Sequence, residues 1–202
     1  MLTPKEGLIA LILILSGPAV AADLDALKAN CDSCHGPLGV SADSKIPIIA
    51  GQAPEFIAKS LRGFQMWDRP CIKGTYKTGP NAGTKTDMCK VANKLSDEDI
   101  TAVSNWYAGQ VFIPATQEFD ATLATAGQAL HEKDCQKCHE QGGMLAGRGP
   151  RLAGQWTPYL SATVKYVPTG EHLCPPMMER KIAGFSKEQI AQLLNFYASQ
   201  QN

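Results

Sequence analysis

The sequence predicts an all-α protein made of two tandem domains of the same design. The pattern Cys-x-x-Cys-His occurs twice, at residues 31–35 and 135–139, and a similar segment closes each half, at residues 95–110 and 185–200. Apolar residues in the closing segments recur at helical spacing, and no stretch alternates as a strand does. The repeat predicts a first domain, a linker and a second domain, at residues 23–110, 111–120 and 121–202, and they follow a leader at residues 1–22.

The first 22 residues have the order of a secretory signal peptide. Lys5 precedes an apolar run over residues 7–15, and small residues follow up to Ala22. This order predicts cleavage near Ala21 or Ala22. The apolar run is well short of the ~20 residues that a membrane-spanning helix needs. We therefore expect a periplasmic mature protein, in a compartment where disulfides persist.

The charge of the chain is balanced. Removing the leader takes one lysine and one glutamate from 19 basic and 19 acidic residues, so the mature chain stays neutral. A neutral balance gives no electrostatic reason to expect nucleic acid or an anionic membrane as a partner.

The two Cys-x-x-Cys-His motifs carry the strongest chemical signal. Two cysteines three residues apart fit one helical turn, where both thiols can add to vinyl groups of one porphyrin, and the next histidine can ligate its iron. A zinc site is the alternative, but zinc ribbons separate their cysteine pairs by roughly 15–20 residues, far fewer than lie between these motifs. The residues assigned are Cys31, Cys34, Cys135 and Cys138 for covalent haem attachment, and His35 and His139 as proximal ligands.

Each half continues with the same succession of elements. A loop with a proline follows the motif, at Pro47 and Pro150, which lie 12 and 11 residues after the proximal histidines. Proximal histidines usually donate their second ring nitrogen to an acceptor, so these loops are candidates for that role, unless the prolines only shape the loops. A second helix and then the closing helix follow, with Ser96 and Ser186 as expected N-caps. About 85 residues per half are too few to form a large apolar core alone, and a haem would add the missing apolar contacts.

The sixth ligands are predicted to be methionines. Met88 lies seven residues before Leu95, and Met178 lies seven residues before Phe185, at the equivalent start of the closing segment. Thioether ligation also raises the reduction potential of a haem. Met177 is the neighbouring alternative in the second half.

The remaining histidines and methionines are weaker candidates. Ligation of both haems by two histidines would need both His131 and His172, and His131 fits a structural role better than a ligand role. Met66 and Met144 match no position of the repeat.

Three cysteines lie outside the haem motifs. Cys71 and Cys89 flank a polar, glycine-rich insertion that makes residues 51–88 longer than the equivalent residues 154–178. A disulfide between them would staple the insertion, contribute roughly 3 kcal/mol in the chain-entropy account, and fix the backbone beside Met88.

Cys174 is left without an obvious partner. His172 and Met177 lie close to it in sequence, and histidine, thiolate and thioether are ligands that suit copper. A copper site that uses Cys174 with His172, Met177 or another free cysteine is therefore a further hypothesis. Recruiting Cys71 or Cys89 for it would compete with the disulfide.

The second half resembles a known family. Nearly all of residues 119–202 resemble the diheme cytochrome subunit of flavocytochrome c sulfide dehydrogenase. The first half shares less with that family: the haem motif, residues 63–64, Met88 and the closing helix. Residues 68–87 and the three spare cysteines depart from that family's pattern. The segments that carry the resemblance are residues 119–124, 127–133, 135–139, 152–160 and 196–201.

The resemblance implies two class I cytochrome c domains and a tightly bound flavoprotein partner. In that family the FAD-containing subunit oxidises sulfide, and the cytochrome subunit passes the electrons singly to a soluble cytochrome c. On this interpretation the chain carries no catalytic residue of its own.

Two alternatives share most of these assignments. The first is a free-standing diheme carrier that delivers electrons to a terminal oxidase. The second is a catalytic cytochrome of the thiosulfate-oxidising type, in which Cys89 or Cys174 would displace Met88 or Met178 as an iron ligand.

Overall fold

The computed structural model describes residues 23–147, 149–172 and 174–201. The expected signal peptide lies outside these residues. Among the described residues, no helix is both long and apolar enough to cross a membrane. The prediction of an all-α fold is confirmed, with helices in both halves and one short hairpin.

The first half contains four helices and the hairpin. A short 3-10 turn, Pro37–Gly39, follows the first helix. The elements are α1 Leu24–His35, α2 Pro54–Gln65, β1 Gly74–Thr75, β2 Lys85–Thr86, α3 Met88–Ala92 and α4 Asp97–Ala108.

The second half repeats this order, and the residues described in it form no hairpin. Its core is the packing of α5 against α9, where Gly127 allows close approach because a Cβ there would overlap the carbonyl of Gln192. The elements are α5 Ala121–Asp134, α6 Glu140–Gly143, α7 Thr157–Tyr166, α8 Pro176–Gly184 and α9 Lys187–Ser199.

The hairpin is the element that the sequence did not predict. Its strands are antiparallel, with Gly74 opposite Thr86 and Thr75 opposite Lys85. Strands of two residues are too short to show a period of alternation. The hairpin lies within the insertion of the first half and gives that insertion a defined backbone.

The closing helices begin as the sequence predicts. The Ser96 hydroxyl accepts the N–H of Asp99, and the Asp99 carboxylate accepts the N–H of Ser96, which completes a capping box. Ser186 and Gln189 form the same box at the start of α9. Each box satisfies two backbone donors that a helix otherwise leaves unpaired.

The two haem motifs differ in secondary structure. The first lies inside α1, whereas α5 ends at Asp134 and the second motif forms a turn beyond it. The side-chain oxygen of Gln136 accepts from His131 Nε2 at 2.8 Å and from the N–H of Gly142 at 3.2 Å. These bonds fix the turn, which explains why the expected helix stops short of the second motif.

A small apolar cluster joins the two halves. The linker over residues 111–120 is extended, and the N–H of Ala115 donates to the carbonyl of Gly154 at 2.8 Å. Trp156 Nε1 donates to the carbonyl of Ser41 across the interface at 2.8 Å. The cluster consists of the buried residues Ile48, Ala50 and Ala115, with Val40, Phe112 and Trp156 packed against them.

Candidate haem sites

The first proximal histidine is buried and held by a backbone carbonyl. His35 is the last residue of α1, and its Nδ1 donates to the carbonyl of Pro47 at 2.9 Å. Burial lowers the pKa of His35, although the bond to the carbonyl opposes this effect. The ring therefore stays neutral and keeps a lone pair on Nε2, which is the form that ligates a metal.

The second proximal histidine has the same environment. His139 is buried, and its Nδ1 donates to the carbonyl of Pro150 at 3.2 Å. Burial is again the main reason that its pKa is lowered. Gly149 lies so close to the ring that a Cβ there would be 2.5 Å from Cε1 of His139. The structure thus places both proline loops where the sequence suggested acceptors for the histidines.

The four motif cysteines fit covalent haem attachment better than zinc. All four are free and half-buried. Burial raises the pKa of Cys31 to about 11 and raises that of Cys135, which disfavours the thiolate that zinc needs. Among the described residues, none of the four belongs to a group of three or more metal-type side chains. The zinc alternative therefore has no support.

A tyrosine of each closing helix holds the haem motif of its own half. Tyr107 donates its hydroxyl to Asp32 at 2.7 Å. Tyr197 bonds Nδ1 of buried His131 at 2.9 Å, and His131 Nε2 reaches Gln136. Because the Gln136 oxygen can only accept, Nε2 carries the proton and Tyr197 is the donor. His131 is a structural histidine, as its position in the sequence suggested.

The predicted axial methionines differ from the other methionines in exposure. Met88 is the first residue of α3 and packs, with Cys31, against the core of the first half. Met178 is half-buried in α8, whereas the side chain of its neighbour Met177 is 56% exposed. An ion pair between Lys181 and Asp134 ties α8 to the residue that precedes Cys135. These positions favour Met178 over Met177 as the sixth ligand.

Cys71 and Cys89 form a disulfide, with their Cα atoms 5.5 Å apart. Cys89 is fully buried and directly follows Met88. The disulfide and Asp87 form the one group of metal-type side chains found among the described residues, but both sulfurs are already bonded to each other. Cys89 is therefore not available as a thiolate ligand.

The hypothesis of a copper site at Cys174 is not supported. His172 and Cys174 belong to no group of three or more His, Cys, Asp or Glu ligands among the residues that the structure describes. The side chain of Met177 faces solvent. Burial raises the pKa of Cys174, which favours the thiol over the thiolate.

His172 instead lines a small cavity between the two halves. The cavity has a volume of about 70 Å³, and Arg69 and Phe64 of the first half meet Tyr159, Tyr166 and His172 of the second half there. Burial and then the charge of Arg69 lower the pKa of His172 to about 4. A neutral histidine thus lies against a cation at the interface.

Two glutamines that the sequence analysis did not single out cross the interface. Gln155 Oε1 accepts the N–H of Ile48 at 2.9 Å, and its Nε2 donates to the Ile48 carbonyl at 2.8 Å. Gln52 makes the same pair of bonds with Arg151, at 2.9 and 3.2 Å. Both glutamines follow a glycine in the repeated Gly-Gln element, and this repetition was the available signal.

The hairpin lies against the first haem motif. The N–H of Lys77 donates to the carbonyl of Ser33 at 3.0 Å, and Cys34 Sγ is 3.8 Å from the carbonyl oxygen of Thr75. Lys77 also pairs with Asp43 at 3.3 Å. The insertion therefore runs from the cysteines of the first motif to Met88.

Comparison with known proteins finds similarity to cytochromes. Residues 122–196 match the family described as cytochrome c oxidase, cbb3-type, subunit III. Cytochrome c4 of Thiocapsa roseopersicina is 28% identical over 81% of this chain and 84% of the relative. Cytochrome c-552 of Acidithiobacillus ferridurans is 26% identical over 81% and 74%.

Solved structures show the same fold. Cytochrome c4 of Acidithiobacillus ferrooxidans superposes with a TM-score of 0.69 at 23% identity, over 85% of this chain and 99% of that one. Thiosulfate dehydrogenase (TsdBA) of Marichromatium purpuratum gives 0.67 at 25% identity, over 88% of this chain and 39% of that one. The fold is that of two class I cytochrome c domains. The chain is similar to c4-type cytochromes c, and its Cys31/Cys34 and Cys135/Cys138 pairs are of the type to which cytochromes c attach haem c.

We predict that Met88 and Met178 are the sixth ligands. Met-ligated ferric haem has a typical absorption band at the red end of the spectrum. Met88→Ala and Met178→Ala should each lose the part of this band that comes from one haem. Met177→Ala is the matched control and should leave the band intact, because its side chain faces solvent. A band lost in Met177→Ala but kept in Met178→Ala would reverse the assignment.

We also predict that His172 makes the protein less stable in acid. The folded protein keeps His172 neutral down to about pH 4, whereas an unfolded chain protonates it near its ordinary pKa of 6.5. The stability from its neutral burial is complete above pH 6.5 and is lost between pH 6.5 and 4. His172→Gln should therefore flatten the fall of Tm across this range. An equally steep fall in the variant would show that other groups are responsible.

Proposed function

We propose that this chain is a free-standing periplasmic diheme carrier that passes single electrons between a protein donor and a protein acceptor. The observation that carries this proposal is the pair of equivalent, buried histidines, each neutral and each held at Nδ1 by a proline carbonyl. When bound, each haem supplies a one-electron iron couple. The chain supplies rigid ligands, so little rearrangement accompanies each electron.

A catalytic role with a cysteine-ligated haem fits less well. Cys89 is bonded to Cys71, and burial raises the pKa of the Cys174 thiol. Methionine at both distal positions suits a relay, because it closes the iron to substrates and raises the potential.

A subunit of a flavocytochrome c sulfide dehydrogenase is the second candidate. It is favoured by the resemblance over residues 119–202 and by three exposed apolar side chains in the linker. The exposed fractions are 78% for Val111, 55% for Ile113 and 44% for Phe119. Exposed apolar side chains that form a patch are typical of protein interfaces.

The two candidates differ in what remains bound during native purification. A free carrier should elute with two haems and no flavin, whereas a subunit should retain one FAD-containing partner and become reduced on addition of sulfide. We expect the first result, measured as the flavin-to-haem ratio of the native sample. Stoichiometric flavin would replace the proposal by the second candidate.

The insertion of the first half and the adjoining α3 form the surface that we expect a partner to approach. Residues 69–94 contain six basic residues and one acidic residue, although the mature chain as a whole is neutral. Lys85, Lys90 and Lys94 line an open concavity of about 450 Å³ beside α3. A surface with this charge attracts a partner with an acidic surface and speeds their encounter.

Reversing these charges should slow electron exchange selectively. In Lys85→Glu/Lys90→Glu/Lys94→Glu, the rate of reduction by an acidic one-electron donor protein should fall at least tenfold at low salt and converge with wild type at high salt. Lys165→Glu/Lys187→Glu is the control in the second half. Equal effects of both variants in stopped-flow measurements would contradict docking at the insertion.

A further inference from the structure

The crossed glutamines bond to the same peptide groups that hold the proximal histidines. In the Pro47–Ile48 peptide, the carbonyl accepts from His35 and the N–H donates to Gln155. One planar peptide unit therefore connects a histidine of the first half to a glutamine of the second. Gln155 is 2% exposed, so water does not compete for these bonds.

The mirror arrangement exists at the second histidine. In the Pro150–Arg151 peptide, the carbonyl accepts from His139 and the N–H donates to Gln52 at 2.9 Å. Gln52 is 4% exposed. Each half thus supplies the glutamine that completes the hydrogen-bond chain of the opposite half.

Hydrogen bonds in such a chain strengthen one another. When the N–H of a peptide donates to a glutamine, its carbonyl becomes a stronger acceptor, and the gain is about 10–30% per bond. A stronger acceptor at Nδ1 makes the imidazole a more basic ligand at Nε2. A more basic ligand favours ferric over ferrous iron and so lowers the reduction potential.

We propose that the two glutamines exert crossed control of the reduction potentials. Gln155 sets the potential of the haem bound at His35, and Gln52 sets that of the haem bound at His139. Both act as positioning residues through a proline peptide, without touching the haem that they influence. This inference rests on the proposed function only in taking each histidine as an iron ligand.

The crossed control also couples the two haems. A change in the charge of one iron alters the polarity of its histidine–peptide–glutamine chain, which ends in the other half. The Gly-Gln element that carries the glutamine is packed beside the proline loop of its own half. Docking of the halves therefore tunes both sites at once, and separation of the halves removes both glutamines from their targets.

The test is a matched set of variants in the full-length protein with both haems. Gln155→Met should raise the potential of the first haem only, and Gln52→Met that of the second haem only. At a fixed solution potential, the reduced-to-oxidised ratio of the affected haem should rise roughly twofold or more, because about 10–30% of the strength that a hydrogen bond has in an apolar site is lost. Redox titration followed by NMR assigns each potential to its haem.

Two further variants distinguish an effect of the glutamines on the reduction potentials from an effect on the stability of the protein. Gln155→Glu keeps an oxygen that accepts the Ile48 N–H, so the potential of the first haem should stay at or below the native value. Gln117→Met removes two bonds that hold the linker to the second half, to the carbonyl of Gln155 and from the N–H of Thr157. It should lower Tm and leave both potentials unchanged.

A second readout does not depend on the potentials. The Nδ1–H proton of His35 in the ferrous protein should move upfield in Gln155→Met, because its bond to Pro47 weakens, and the corresponding signal of His139 should not move. Shifts in the haem of the glutamine's own half, equal shifts in both haems, or no shift would overturn the inference. Failure of the carrier proposal would appear separately, as flavin in the native sample.

Discussion

The hydrogen bond from a buried histidine to a proline carbonyl is the constraint on which both sites depend. It requires each proline loop to stay at one position, and the backbone ensures this in the same way twice. The carbonyl of Gly39 accepts from Ile49 and Ala50, and the N–H of Gly51 donates to Tyr107. Gly143, Gly154 and Tyr197 repeat the pattern in the second half. The loop is thus fixed between its own motif and the closing helix.

Fixing the loops in this way determines how the halves meet. In each loop the proline carbonyl accepts from the histidine, and the N–H of the same peptide points the other way. A glutamine of the other half accepts from that N–H. Buried backbone donors need such partners, because an unpaired one costs about 1–3 kcal/mol. The pairing satisfies both edges and places the two iron sites on either side of one interface. On the proposal of crossed control, the docking of the halves and the coupling of the haems are consequences of the same bonds.

The sequence predicted the repeated features, because a motif or a cap that occurs twice at equal offsets can be recognised without a structure. The proximal histidines, their proline loops and the capping boxes at Ser96 and Ser186 all belong to this class. The hairpin, the turn beyond α5 and the crossed glutamines were missed. Two-residue strands have no detectable period, and the glutamine contacts join residues 99 and 107 positions apart. The copper hypothesis failed because proximity along the chain did not place three ligands together.

The halves are alike around the histidines but differ in how they support the predicted distal methionines. In the first half the residue after Met88, Cys89, forms a disulfide, and the hairpin contacts the haem motif. In the second half, prolines begin α8 and an ion pair between Lys181 and Asp134 ties it to the motif. A covalent link is insensitive to salt, whereas an ion pair near the surface is screened by it. We therefore expect the predicted distal methionine of the second half, Met178, to be the more easily displaced of the two.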